Sequence, residues 1–250
     1  MIRQMPAICC VLLLVLARPL LAQSLEGYEA SYQASANGLG GDASRRLELL
    51  DSGNYRLSNQ INARLLGIEV ASLWEQTEFT LVDGLPRPLR YSYRIDGLGD
   101  SQENIEFDWA ARLAIANDNG KQVEYPLEQT VQDPLSYQAA LALLLAQGNQ
   151  QSAKLLLLEP DGPDSVRYDV AGEELLRTEQ GTINTIRLER IREESSSRST
   201  SIWLAPGWNY LLVKIEQQSD TGPDITLTIS SASVAGNQVW PEQATLPASL

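Results

Sequence analysis

The feature that most constrains the fold of this chain is a repeated alternation of apolar and polar residues in short segments. Successive side chains of a β-strand point to opposite faces, so this period of two predicts half-buried strands. Polar residues on the second face favour an antiparallel sheet with one side in water. The alternating segments are Tyr28–Tyr32, Tyr55–Leu57, Leu89–Ile95, Ile105–Trp109, Leu113–Ile115, Ile186–Leu188, Ile202–Leu204, Leu211–Ile215 and Ile225–Ile229.

Turn-forming residues separate these segments, as expected for strands joined by tight connections. Their spacing favours a meander or an open barrel over a parallel α/β fold. The polar stretch 193–200 is predicted to form the tip of a long hairpin. The turn segments are Asp51–Gly53, Asp83–Gly84, Asp96–Gly97, Asp118–Gly120, Asp161–Pro163 and Thr221–Pro223.

One segment, at about 133–147, departs from the alternation and predicts a helix. Asp133 suits the N-cap, Pro134 the first helical position, and Gly148 the stop. The residues between are apolar almost all round, so the helix should be buried on most sides. The fold class predicted is therefore mostly β, a curved antiparallel sheet or open β-barrel that encloses one apolar helix, in a single domain over 23–250.

Two interpretations of this helix remain open, because a filled core and a lidded cavity need the same apolar residues. In the first, the helix is a plug that completes the core. In the second, it covers a cavity for an apolar ligand. The side chains expected to contact such a ligand are Tyr137, Leu141, Leu144 and Leu145.

The first 22 residues have the pattern of a secretory signal peptide. Arg3 precedes an apolar run over 7–16, and Ala22 is the small residue at the expected cleavage site. Cleavage after Ala17 is an alternative, and so is an uncleaved anchor, although the run is short for a membrane span. This pattern predicts export to the periplasm, with no transmembrane segment after cleavage.

Removal of this segment would leave a chain without cysteine or histidine, since Cys9 and Cys10 are the only cysteines. Thiol nucleophiles, disulfides, imidazole bases and ordinary zinc or copper sites would then be excluded. The remaining 17 basic and 32 acidic residues give a net charge of −15. Such an acidic chain is a poor binder of nucleic acid, which requires clustered Lys and Arg. We expect no cofactor and no metal.

The sequence contains only weak candidates for a catalytic site. Ser152 and Lys154 do not have the spacing of the Ser–Lys hydrolases. Trp203 and Trp208 either form a sugar-stacking surface or, as the simpler interpretation, anchor a corner between strands. Paired carboxylates could cleave a glycan, but the sequence identifies no such pair and predicts no catalytic residue.

Two further groups have simple structural interpretations. The acidic loop of Asp96, Asp100 and Glu103 lacks the ligand density of an EF-hand and is interpreted as a solvated turn. Aromatic residues at alternate positions usually stabilise cross-strand pairs, although they can also line a groove. Such aromatic pairs are Tyr28 with Tyr32 and Tyr91 with Tyr93.

Four segments occur in a characteristic order: Tyr28–Tyr32, Asp133–Tyr137, Gly181-Thr182 leading into Ile186–Glu189, and Ile202–Ala205 with Val213–Glu216. In this order they resemble a secreted bacterial family, the domain of unknown function 3108, although Leu212 replaces the proline usual in that family. The resemblance spans roughly 25–240 and implies an envelope-facing β-rich domain, but no activity or site residue.

These observations lead to a predicted function and two alternatives. The first is a non-catalytic periplasmic protein that binds a lipid, another apolar ligand or an envelope protein. The second is a carboxylate-dependent hydrolase of envelope polysaccharide, which requires two close carboxylates beside an exposed tryptophan. The third is a purely structural partner, which requires an exposed apolar patch or an open sheet edge.

Overall fold

The structure, a computed structural model, describes residues 25–36, 39–97, 99–149, 151–192, 196–220 and 224–241. The predicted signal peptide lies outside them, as do the turn at 221–223 and part of the predicted hairpin tip, 193–195. Within the described residues, no helix is long and apolar enough to cross a membrane.

The described chain forms fifteen strands, one α-helix and one short 3-10 turn, Pro206–Trp208. The first meander comprises β1 Tyr28–Ala36, β2 Leu39–Leu49, β3 Tyr55–Leu65, β4 Ile68–Val82, β5 Leu85–Gly97, β6 Ser101–Asp108, β7 Leu113–Asp118 and β8 Lys121–Pro126. After α1 Ser136–Ala146 come β9 Ser152–Glu159, β10 Gly162–Thr178, β11 Gly181–Ile191, β12 Arg198–Ala205, β13 Leu211–Ser219, β14 Ile225–Val234 and β15 Asn237–Val239.

The strands form one antiparallel sheet. Each meander pairs strands that are neighbours in the chain, and β1 joins the two meanders by pairing with β14. The sheet ends at β8 on one side and β9 on the other, so it is not closed. The prediction of a curved antiparallel sheet or open barrel around one helix is confirmed.

Helix α1 lies against β5 and β9 and separates two buried clusters. Leu141 and Leu145 belong to the cluster of the second meander, whereas Leu135 and Ala139 belong to that of the first. Because both sides of the helix face apolar surroundings, its sequence has no polar stripe. The prediction of a helix buried on most sides is confirmed.

The helix begins at Ser136, so Pro134 occupies the preceding turn and not the first helical position. The cause is a compact turn around Asp133, whose Oδ1 accepts the backbone N–H groups of Leu135 and Ser136 at 2.8 and 2.7 Å. The preceding residue, Gln132, is held extended by backbone hydrogen bonds to β9. Gly148 ends the helix with φ +89°, as predicted.

Candidate functional site

The inner face of the first meander is organised in rows of directly paired residues that cross β2 to β6. One row is polar, and we call it the polar row: Arg45, Asn59, Glu75, Tyr93 and Glu103. Residues paired across a sheet share a face, so these side chains line the inside together. The polar row divides the interior into a helix side and a mouth side.

The helix side is covered by α1. Its adjacent row consists of Leu47, Leu57, Thr77, Tyr91 and Ile105, all of them buried. Leu135 and Ala139 belong to the same cluster as four members of this row. Apart from one hollow beside Leu47 and Leu57, the helix side is therefore packed as a core.

The mouth side is open. Its adjacent row consists of Ala43, Ile61, Leu73 and Ile95, and only Ala43 is fully buried. Ile61, Leu73 and Ile95, together with Ala and Gly residues at the strand ends, surround a hollow of about 370 Å³, which we call the mouth groove. The walls of the mouth groove are Ala34–Ala36, Leu39–Gly41, Ile61–Ala63, Ala71–Leu73, Ile95, Ile225 and Leu227.

A second hollow of about 250 Å³, the helix pocket, lies between α1 and the start of β1, the end of β2 and the start of β3. A constriction of about 20 Å³ beside Tyr32, Arg45 and Asn59 adjoins both hollows. It is too small for a ligand chain, so the polar row separates two sites. The helix pocket is lined by Leu25, Glu26, Tyr28, Arg45, Leu47, Leu57, Gln138, Ala139, Ala142, Leu143, Ala146, Leu204, Asn209, Tyr210 and Leu212.

Arg45 is the charged centre of the polar row and is only 5% exposed. Its Nε donates to the Tyr28 hydroxyl at 2.8 Å, and its Nη1 donates to Asn59 Oδ1 at 3.0 Å. Burial acts to lower the pKa of Arg45, but nearby Tyr28, Tyr32 and Glu75 outweigh it and raise that pKa. Arg45 therefore keeps its positive charge inside the protein.

Glu75 is connected to Arg45 through an amide. Asn59 Nδ2 donates to Glu75 Oε2 at 3.1 Å, and the Tyr91 hydroxyl donates to Oε1 at 2.9 Å. Burial nevertheless raises the pKa of Glu75 to about 7, because the charged form loses its hydration. Glu75 therefore titrates near neutral pH and gives the polar row a pH-dependent charge.

Asp133 is fully buried between the helix start and β4. Its carboxylate accepts a hydrogen bond from the Thr77 hydroxyl as well as those from the backbone of the helix start. Burial raises its pKa to about 6, against the lowering effect of these hydrogen bonds. This arrangement serves to fix the helix on the sheet.

The four residues predicted to contact a ligand lie elsewhere on the helix. Leu141 and Leu145 are buried in the cluster of the second meander, and Tyr137 and Leu144 pack against it. None of the four lines the helix pocket or the mouth groove. Direct contact between these four side chains and a ligand stays a prediction.

Tyr28, for which the sequence left a groove-lining role open, lines the helix pocket. The residues of β2 and β4 that line the hollows were missed, because these two segments were not recognised as strands. The sequence nevertheless contains a signal for the polar row. Arg45 stands at an inward position between Ala43 and Leu47, and Glu75 stands between Leu73 and Thr77 in the alternation of β4. An ionisable residue at the buried phase of an alternating segment is the pattern that would have identified the polar row.

The other candidates have structural roles. Trp203 is buried in β12, where its Nε1 donates to Glu174 Oε2 at 3.1 Å, and Trp208 packs in the turn that follows β12. An acidic hollow contains Glu103, Asp118, Glu159 and Asp161, but its described lining includes no tryptophan. Among the described residues, no group of three or more His, Cys, Asp or Glu could hold a metal ion.

The fold of this chain is similar to that of a protein whose crystal structure is known. The β-barrel-like protein of the domain of unknown function DUF1849 from Brucella abortus matches with a TM-score of 0.56 and 8% identity. The match covers 84% of this chain and 98% of that protein. At this identity the similarity concerns the fold alone.

A further solved structure, MucB in complex with MucA(peri), matches with a TM-score of 0.16 and 11% identity, and covers 88% of this chain and 94% of that one. This TM-score is too low to support any conclusion. No curated protein matches the chain significantly. A family model described as a protein of unknown function, DUF3108, matches residues 54–230, which is more than half of the chain. The chain therefore belongs to the DUF3108 family.

Proposed function

We propose that this protein is a non-catalytic binding protein of the periplasm that holds an apolar molecule in the mouth groove. The observation that carries the proposal is the uncovered row of apolar side chains on the mouth side of the polar row. Ile61, Leu73 and Ile95 point inward from three adjacent strands, yet each is only partly buried. Interiors of folded proteins are close-packed, so an open apolar hollow of about 370 Å³ is a natural place for a ligand.

The export of the chain is part of the same proposal and is supported by the signal-like pattern over residues 1–22. A carrier that works between membranes needs a surface that is stable in water and an interior that accepts apolar molecules. The net charge of −13 for the whole chain and the alternation of polar and apolar residues are consistent with this arrangement.

The test of the groove is binding of N-phenyl-1-naphthylamine, a neutral apolar fluorophore, to the purified chain. In the variant Ala34→Trp, an indole ring would occupy the groove from β1, and we expect the fluorescence enhancement to fall by at least tenfold. The matched control is Gln33→Trp, which adds the same ring at the exposed neighbouring position. Equal enhancement by wild type and Ala34→Trp would contradict the proposal.

A protein partner is a second candidate, favoured by the hairpin that joins β3 to β4. Leu65, Leu66 and Ile68 at its tip are 52%, 96% and 70% exposed. A cluster of exposed aliphatic residues is unusual on a monomer and often marks an interaction site. Photo-crosslinking from position 66 in cells that secrete the chain would yield a defined protein adduct if this candidate is correct.

A further inference from the structure

We propose that the helix pocket is a second binding site, specific for an aliphatic carboxylate whose head group pairs with Arg45. This site lies on the other side of the polar row from the mouth groove. The proposal therefore goes beyond the binding of a neutral apolar molecule and can succeed or fail independently of it.

The first argument is the unpaired charge of Arg45. This side chain is 5% exposed, and among the described residues no carboxylate forms an ion pair with it. Its two hydrogen-bond partners, Tyr28 and Asn59, are neutral. Glu75 acts on Arg45 only from beyond the intervening Asn59, so Arg45 is a buried cation with no carboxylate in contact and would bind an anion that reaches it.

The second argument is the hydrogen-bonding capacity that remains on the pocket wall. A guanidinium has five N–H donors, and no described hydrogen bond uses Nη2 of Arg45. A donor left unused on a buried cation in a mostly apolar wall suits a carboxylate, because it fixes the orientation of the ligand.

The third argument is the composition of the remaining walls, which suits an alkyl chain. Leu47, Leu57 and Leu143 contribute apolar surface, and the small residues Ala139 and Ala142 leave the space open along the helix. The volume of about 250 Å³ exceeds the roughly 150 Å³ of an apolar cavity that binds benzene. It can accept a medium-length chain.

Repulsion from neighbouring carboxylates does not prevent this binding. Glu26 is the one carboxylate among the lining residues, and it is exposed at the rim, where it accepts a hydrogen bond from Asn209. Glu75 is kept from direct contact with Arg45 by the intervening Asn59. Arg45, the only positively charged residue in the described lining of the pocket, is thus available to a ligand.

The experiment is isothermal titration of the purified chain with decanoate and with decan-1-ol, which has the same chain length and no charge. We expect decanoate to bind wild type at least tenfold more tightly than decan-1-ol. Arg45→Met should remove this preference. Arg46→Met, which removes the adjacent, exposed and ion-paired arginine of β2, should preserve it.

A second variant keeps the test decisive if Arg45→Met does not fold. Ala142→Phe fills the helix pocket from α1 and should abolish decanoate binding, whereas Ala34→Trp in the mouth groove should leave it unchanged. Three results would overturn the proposal: no binding of decanoate to wild type, equal effects of the two arginine variants, or loss of decanoate binding in Ala34→Trp with retention in Ala142→Phe. Fluorophore binding that persists in these cases would leave the mouth-groove proposal intact.

Discussion

The same strands line both sides of the polar row, but the two sides differ in how completely their side chains are buried. On the helix side, large residues such as Leu57 and Phe79 are almost completely buried beneath α1. On the mouth side, the same strands present Gly41, Ala63 and Ala71, and within the described part of the chain no helix covers them. On both sides, alternation determines which residues face inward. Side-chain volume and the covering element determine whether the inside is full.

The largest expected difference between the two sides is in the cost of truncating a large aliphatic residue. Ile105→Ala should lower the free energy of unfolding by about 3 kcal/mol, because Ile105 is completely buried beneath α1 and its truncation leaves a cavity in a packed region. Leu73→Ala should lower it by only about 1 kcal/mol, since Leu73 already borders open space. Urea denaturation of both variants measures the difference, and equal losses would mean that the two sides are packed alike.

The next effect concerns the attachment of the helix. Asp133→Ala should cost about 2–3 kcal/mol, because it leaves Thr77 and the backbone N–H groups of the helix start without an acceptor. Asp51→Ala, at an exposed turn, is the control and should cost no more than about 0.5 kcal/mol. A similar loss in both variants would show that Asp133 does not hold the helix.

A smaller effect is the pH dependence that Glu75 contributes. Burial raises the pKa of Glu75 from 4.5 to about 7, so the folded state binds more protons than the unfolded state in this range. The free energy of unfolding should therefore decrease as the pH rises from 5 to 8, with a contribution on the order of 2 kcal/mol from Glu75.

The matched variant is Glu75→Gln, which has no titrating carboxyl group at this position. The curve of unfolding free energy against pH should be flatter for Glu75→Gln than for wild type, with the remaining slope in this range partly due to Asp133. Parallel curves for the two proteins would mean that a group other than Glu75 binds the additional protons in the folded state.

The smallest effect is a gain in stability on the mouth side. Ala63→Leu adds methylene groups that partly fill the groove, and we expect stabilisation by about 1 kcal/mol together with weaker binding of the neutral fluorophore. Gln60→Leu, on the exposed face of the same strand, is the control and should neither stabilise the protein nor weaken fluorophore binding. Destabilisation by Ala63→Leu would mean that the groove has no room to fill.

Much of the fold could be predicted from the sequence, because the evidence for it is local. The alternation from Tyr91 to Ile95 and the stop at Gly148 depend on neighbouring residues only. The start of the helix at Ser136 was missed because the turn around Asp133 that sets it is held by long-range contacts, the pairing of Gln132 with β9 and the hydrogen bond from Thr77 to Asp133.

The candidate site was less predictable. Arg45, Asn59 and Glu75 are distant in the chain and meet only through the register of β2, β3 and β4. The sequence also directed attention to the leucines of the helix, which fill the core, and away from the small residues whose lack of volume creates the hollows. Small side chains leave no recognisable local pattern in the sequence, so the hollows became evident only in the folded structure.

The central claim, that the inside of this sheet carries an apolar molecule, is tested most directly by native mass spectrometry without detergent. The chain and its Ala34→Trp variant would both be purified from the periplasm of cells that secrete them. The account predicts a reproducible additional mass of an apolar molecule on the wild type and its loss from the variant. The bare mass of the chain for both proteins would contradict it.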